Sequence, residues 1–116
     1  MRRVERQETS GWVALRCTQR PRRDELWLEA DGEIDVASVD TLRAGLDDVL
    51  TAGFDQVVLD LNGVTFVDST GLRAIIEAQR IADAVGIEFS VRPGPPQVRR
   101  LFDLTGTSQI LRISAT

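Results

Sequence analysis

Strand-length apolar runs and helix-period segments take turns along this chain, and few folds accommodate that alternation. From Val39 the apolar residues fall at Val39, Leu42, Leu46, Val49 and Leu50, spacings of three and four that share one helical face. Ser38 or Asp35 stands where a helix cap is wanted, and Gly53 where the helix would end. Val57-Val58-Leu59-Asp60-Leu61 is then an apolar run of strand length, suited to a central parallel strand covered on both faces. Leu72, Ile75, Ile76, Ala82 and Val85 return to helical spacing, predicting about four turns, with Gly86 at the stop. Ile87, Phe89 and Val91 alternate with Glu88, Ser90 and Arg92, the period of a strand with one wet face. "PGPP" breaks the chain, and Pro96 suits the first position of a helix over Gln97 to Leu104. Gly106 fits its stop, and Ile110-Leu111-Arg112-Ile113 reads as a short last strand.

Upstream, Gly11 to Thr18 reads as a first strand, "QRPRRDE" as a turn, and Leu26 to Ala30 as an antiparallel return closed by "DGEID". The order is strand, strand, helix, strand, helix, strand, helix, strand. It predicts a single α/β domain over residues 11 to 116, a mixed, mainly parallel sheet with helices packed on it, preceded by an arm over residues 1 to 10. Ligands or partners of such a sheet gather where strands end and helices begin.

Composition removes several function classes. The 116 residues include no histidine and one cysteine, so the chain has no internal disulfide, no Cys/His zinc site and no Ser-His-Asp relay. Cys17, in an alternating apolar stretch, reads as a small buried hydrophobe. All 14 basic residues are arginine: residues 1 to 23 hold seven against Glu5 and Glu8, a net of +5, and the remainder carries −9. The basic start lacks interleaved aromatics and the acidic body repels phosphates, so a solvated arm and turn is expected and direct nucleic-acid binding is not. No apolar run approaches the ~20 residues of a bilayer span, so no membrane insertion and a cytoplasmic location are expected. No cofactor is called for, since "DSTG" lacks the longer glycine-rich cradle of a phosphate loop.

The stretch "FVDSTGLRAII", Phe66 to Ile76, places an acid and two hydroxyls before a glycine and an amphipathic helix. Asp68, Ser69 or Thr70 can each satisfy an unpaired N–H of the first turn, as Asp, Ser and Thr do at helix starts. A second reading makes Ser69 a modifiable residue at a loop edge, with Gly71 keeping the backbone open beside it. A phosphate there would add a charge of about −1.5 to −2, tolerated by the helix start but adverse to a partner docked against it. An enzyme using Ser69 as nucleophile would need a carboxylate base from Asp35, Asp60 or Asp68 in place of histidine, and none is expected.

Three segments in order carry a family resemblance. "LDLNGVTFVDSTGLRAII" resembles the signature of the STAS domain of bacterial anti-sigma factor antagonists, "DGEIDVASVDTLRAGLDDVL" is similar to the stretch preceding it, and "GPPQVRRLFDLTGTSQILRI" to the family's last helix and strand. Together they span most of residues 11 to 114. The resemblance implies partner switching: the unphosphorylated antagonist binds an anti-sigma factor that is itself a serine kinase, which frees the sigma factor. Phosphorylation turns binding off, and a serine phosphatase resets the cycle. The implied phosphoacceptor is Ser69, with Asp35, Asp68, Thr70 and Gly71 on the partner-binding surface. "GEID" stands where the family more often has "GELD". STAS domains also occur as adaptor subunits of transport and stress-signalling complexes, where Ser69 would serve chiefly as a cap.

Overall fold

The computed structural model describes residues 14–113, so the expected arm and the first three residues of the expected opening strand lie outside the described residues. Strand β1 (Arg16–Arg22) runs antiparallel to β2 (Glu25–Ile34) through a turn at Arg23 and Asp24. Helix α1 (Val39–Leu50) returns the chain to β3 (Gln56–Val67), which pairs parallel to β2. Helix α2 (Ser69–Val85) leads in the same way to β4 (Glu88–Arg92), parallel to β3. The sheet order is β1-β2-β3-β4, and α3 (Pro96–Thr105) follows. Parallel neighbours need such crossovers, because a tight turn can only reverse the chain.

Helix boundaries follow the apolar periodicity closely, whereas strand boundaries depart from it in three places. Pro21 lies inside β1 rather than in a turn. Because β1 is an edge strand, a residue without an N–H is tolerated there. The reversal falls instead on Arg23, whose φ of 56° lies in the left-handed region that costs an L-residue roughly 1–2 kcal/mol. Strand β2 also continues through "DGEI", expected to close it, and β3 continues past the expected run of Val57 to Leu61 through "NGVTFV". Their glycines mark bulges: the β2–β3 register shifts between Glu29 and Asp31 and again between Gly32 and Glu33. At Gly63 a Cβ would coincide with the Asp31 carboxylate, and at Gly32 it would come within 2.5 Å of the Ala14 carbonyl oxygen. Glycine is needed for close approach there, a bulge signal that sequence alone confuses with a turn.

The third departure is at the C-terminal end. Thr107–Gln109 forms a 3-10 turn, and the expected last strand is present among the described residues as a single parallel bridge between Val91 and Ile113. Val91 N–H donates to the Arg112 carbonyl at 2.9 Å. One rung is thus added to the outer edge of β4.

Helices α1 and α2 lie side by side on the sheet face that carries Leu26, Leu28, Ala30, Val57, Leu59, Phe89 and Val91, all buried with Leu42, Leu46, Val49, Ile75 and Ala82 in one core. Val98 and Phe102 of α3 and Leu111 join it. Gly45 lets α1 settle close, since a Cβ there would stand 3.2 Å from Leu28 Cδ2. Cys17 packs against this core; burial, then the Asp31 charge, pushes its thiol pKa up.

The opposite sheet face is polar. There Trp27 is 6% exposed beneath two guanidinium groups, Arg22 at 4.1 Å and Arg92 at 4.9 Å from the ring centroid. Its indole N–H donates to Glu25 Oε1 at 2.9 Å, and Arg20 pairs with Glu29 at 2.7 Å. Val58, expected under a second layer, is buried on this face outside the main core. No helix among the described residues is long and apolar enough to cross a membrane.

Phe89 is fully buried and contributes much of the core under α2. Phe89→Ala should destabilise the domain by about 3–5 kcal/mol, read as a fall in the midpoint of urea unfolding.

Candidate functional site

The last rung of the β2–β3 ladder pairs Ile34 with Val67. The next residue of each strand is an aspartate, so Asp35 and Asp68 leave the same end of the sheet from adjacent strands. Asp68 N–H donates back to the Ile34 carbonyl at 3.1 Å, which fixes where the chain turns into α2. Asp68 is extended, and its Oδ1 accepts from Gly71 N–H at 3.0 Å. Of the three residues able to cap α2, Asp68 does so.

Ser69 is therefore released from that task. It is the first residue of α2, exposed, and its hydroxyl makes no hydrogen bond among the described residues. Thr70 beside it is half-buried. Gly71 differs from the expectation of an open backbone: it is buried, and a Cβ there would lie 2.5 Å from Ile34 Cγ2 and 3.0 Å from Val67 Cγ1. The missing side chain lets the first turn of α2 sit directly on the ends of β2 and β3.

Asp35 organises the neighbouring loop. Its Oδ1 accepts from Ala37 N–H at 3.0 Å and Ser38 N–H at 3.1 Å, and its carbonyl accepts from Val39 N–H at 2.8 Å. Ser38 has the sequence position of a cap, but its side chain makes no capping bond to α1. Its hydroxyl donates backward to the Glu33 carbonyl at 2.7 Å and accepts from Asp35 N–H at 3.0 Å. The loop from Asp35 to Ser38 is consequently closed on itself.

Two apolar residues at this end escape the expected set. Val36, at the tip of that loop, is 75% exposed, and Phe66, opposite Glu33 in the ladder, is 48% exposed. Both were detectable. Val36 falls in a loop, outside the helical stripe that starts at Val39, and two-residue alternation turns Phe66 outward once Val67 is inward. The sheet end thus presents a free hydroxyl, two carboxylates with fixed backbone partners and two exposed apolar side chains.

This arrangement suits binding better than bond-breaking. A serine nucleophile needs a base bonded to its hydroxyl, and none is placed there among the described residues. The candidate carboxylates are engaged elsewhere: Asp35 and Asp68 hold backbone N–H groups, and Asp60 Oδ1 accepts from the Asn62 amide at 2.7 Å. Nor do His, Cys, Asp and Glu gather into a group able to hold a metal among the described residues.

Residues 14–116 match the STAS domain. The chain belongs to the STAS domain family. This STAS domain is 30% identical over 89 residues to the anti-sigma F factor antagonist of Paenibacillus polymyxa, covering 76% of each chain. It is 34% identical over 84 residues to the anti-sigma-B factor antagonist of Bacillus subtilis, covering 72% of this chain and 76% of that protein. In fold it resembles the crystal structure of an anti-sigma factor antagonist from Mycobacterium paratuberculosis, with a TM-score of 0.77 at 21% identity over 89% of this chain and 87% of the other.

The division of labour at the α2 start is measurable. Asp68→Ala should cost about 1 kcal/mol and Asp68→Asn much less, since asparagine caps comparably. Gly71→Ala should cost about 1–3 kcal/mol by overpacking against Ile34. Denaturant unfolding of the three variants would establish the ranking.

Proposed function

We propose that this STAS domain is an anti-sigma factor antagonist whose partner binding is switched by phosphorylation of Ser69. One observation carries the reading: Asp68 caps α2, which leaves the Ser69 hydroxyl exposed and unbonded at the head of the helix. The relatives' antagonist activity and the family's partner-switching scheme support it. The partner is an anti-sigma factor that is also a serine kinase, a serine phosphatase restores the active form, and the cycle runs in the cytoplasm where sigma factors act.

The consequences of a phosphate at Ser69 differ for the fold and for the complex. The first turn of α2 has no acidic side chain, so the helix end has capacity for added negative charge, a favourable term of about 0.3–1 kcal/mol. Asp68 opposes it from the preceding position, and the fold is left nearly unchanged. In the complex, a group of about −2 charge would stand between a partner and the surface formed by Val36, Phe66, Asp35 and Asp68. That surface is apolar at its tips and already acidic, so further negative charge forces desolvation and like-charge repulsion at once. An adverse change of about 1.4 kcal/mol lowers affinity tenfold, and such a penalty suffices for a switch.

The test uses the purified protein with its cognate anti-sigma kinase. Ser69→Ala should bind the kinase like wild type and take up no phosphate, whereas Ser69→Asp should bind at least tenfold more weakly in calorimetry. Equal labelling of Ser69→Ala and wild type would refute the switch, as would unchanged binding by Ser69→Asp. Isolation with transporter or scaffold subunits and no anti-sigma kinase would favour the adaptor role instead.

A further inference from the structure

A phosphate on Ser69 needs hydrogen-bond donors, and the start of α2 has few to spare. The Gly71 N–H donates to Asp68 Oδ1 at 3.0 Å and the Leu72 N–H to the Asp68 carbonyl at 3.0 Å. Asp68, by capping the helix, has taken donors that an anion at a helix start ordinarily uses. The remaining acceptors of the phosphate therefore fall to side chains.

Arg73 is placed for that task. It stands four residues after Ser69 in α2, and both are exposed, so their Cβ atoms lie roughly 5–6 Å apart on one helix face. Helical side chains lean toward the N-terminus and cover the preceding turn, a direction that brings the long Arg73 stem over the turn of Ser69. The order is the favourable one, anion first and cation four residues later. A guanidinium also offers paired N–H donors that match phosphate oxygens.

The rival partner of Arg73 is engaged elsewhere. Glu77 follows it by four residues on the same helix, but Arg43 of α1 holds Glu77 Oε1 at 2.8 Å. Asp40, in the first turn of α1, makes no ion pair with it. Arg73 thus joins no ion pair among the described residues, and the bridge between α1 and α2 keeps it unengaged.

Taking Ser69 as the phosphoacceptor proposed above, we infer that Arg73 is the intramolecular partner of the phosphorylated serine, a positioning residue that draws the phosphate along α2. Phosphorylation then changes the surface twice: a charge of about −2 appears, and an exposed cation is neutralised. A partner carboxylate seated near Arg73 would lose its attraction as it meets the new charge.

The test uses full-length protein with phosphoserine installed at position 69 during translation, so that no kinase is required. The readouts, at low ionic strength, are the Arg73 Nε–H resonance and the thermal unfolding midpoint. With phosphoserine the Arg73 resonance should shift and exchange more slowly with water, and the midpoint should rise by about 2 °C over the unphosphorylated chain. Arg73→Gln should abolish that rise, whereas Arg80→Gln, at an exposed position two turns further along α2, should leave it intact. Without the phosphate, Arg73→Gln should unfold like wild type, since glutamine has nearly the helix propensity of arginine. An unmoved Arg73 resonance, or an equal rise in Arg73→Gln and wild type, would overturn the inference. Equal losses from Arg73→Gln and Arg80→Gln would do so too, by showing a diffuse charge effect in place of a pair. Failure of the Ser69 switch itself has a different signature: no labelling of Ser69 by the kinase, with the phosphoserine–Arg73 pair intact.

Discussion

The contact between Ile34, Val67 and the bare α-carbon of Gly71 locates everything else at the functional end of this domain. Parallel pairing brings the ends of β2 and β3 level, and the absence of a side chain at position 71 lets α2 begin directly above them. Each strand is followed directly by an aspartate, so the geometry that seats the helix also sets two aspartates at one end of the sheet. Asp35 then holds two backbone N–H groups and Asp68 one, satisfying donors that a turn and a helix start leave without backbone partners. Fold and site are here the same set of bonds.

Much of this was legible in the residues. The three- and four-residue spacings located α1 and α2 to within a residue or two, because each helix buries one continuous stripe and ends where the stripe ends. Gly86 and Gly106 both take the left-handed conformation expected of helix stops. Ser69 was identifiable as the first helical residue with a hydroxyl, and the three family segments supplied its implied role.

What escaped notice depends on tertiary context. The glycine in "DGE" reads locally as a turn and that in "NGV" lies beyond the apolar run; only the neighbouring chain shows that they allow close approach of the Ala14 carbonyl and the Asp31 carboxylate at the bulges. Asp68, Ser69 and Thr70 are equivalent as caps by type, and the choice among them rests on the extended backbone at Asp68. Gly71 likewise reads as freedom in one dimension and as close packing in three. Trp27 looked like an ordinary strand apolar residue, yet it faces away from the helices and is covered by two arginine guanidinium groups instead, long side chains standing in for secondary structure.

The separation of Asp68 from Ser69 has an evolutionary corollary. Had the serine been the cap, every lineage losing it would also have loosened a helix seated on the core, and fold maintenance would have kept the residue in place. With the aspartate as cap, serine and alanine at position 69 differ by one oxygen that nothing among the described residues holds. Under the switch proposed for Ser69, selection on that oxygen is free to follow signalling alone, and switchable and constitutive versions of the domain lie one substitution apart with the cap untouched.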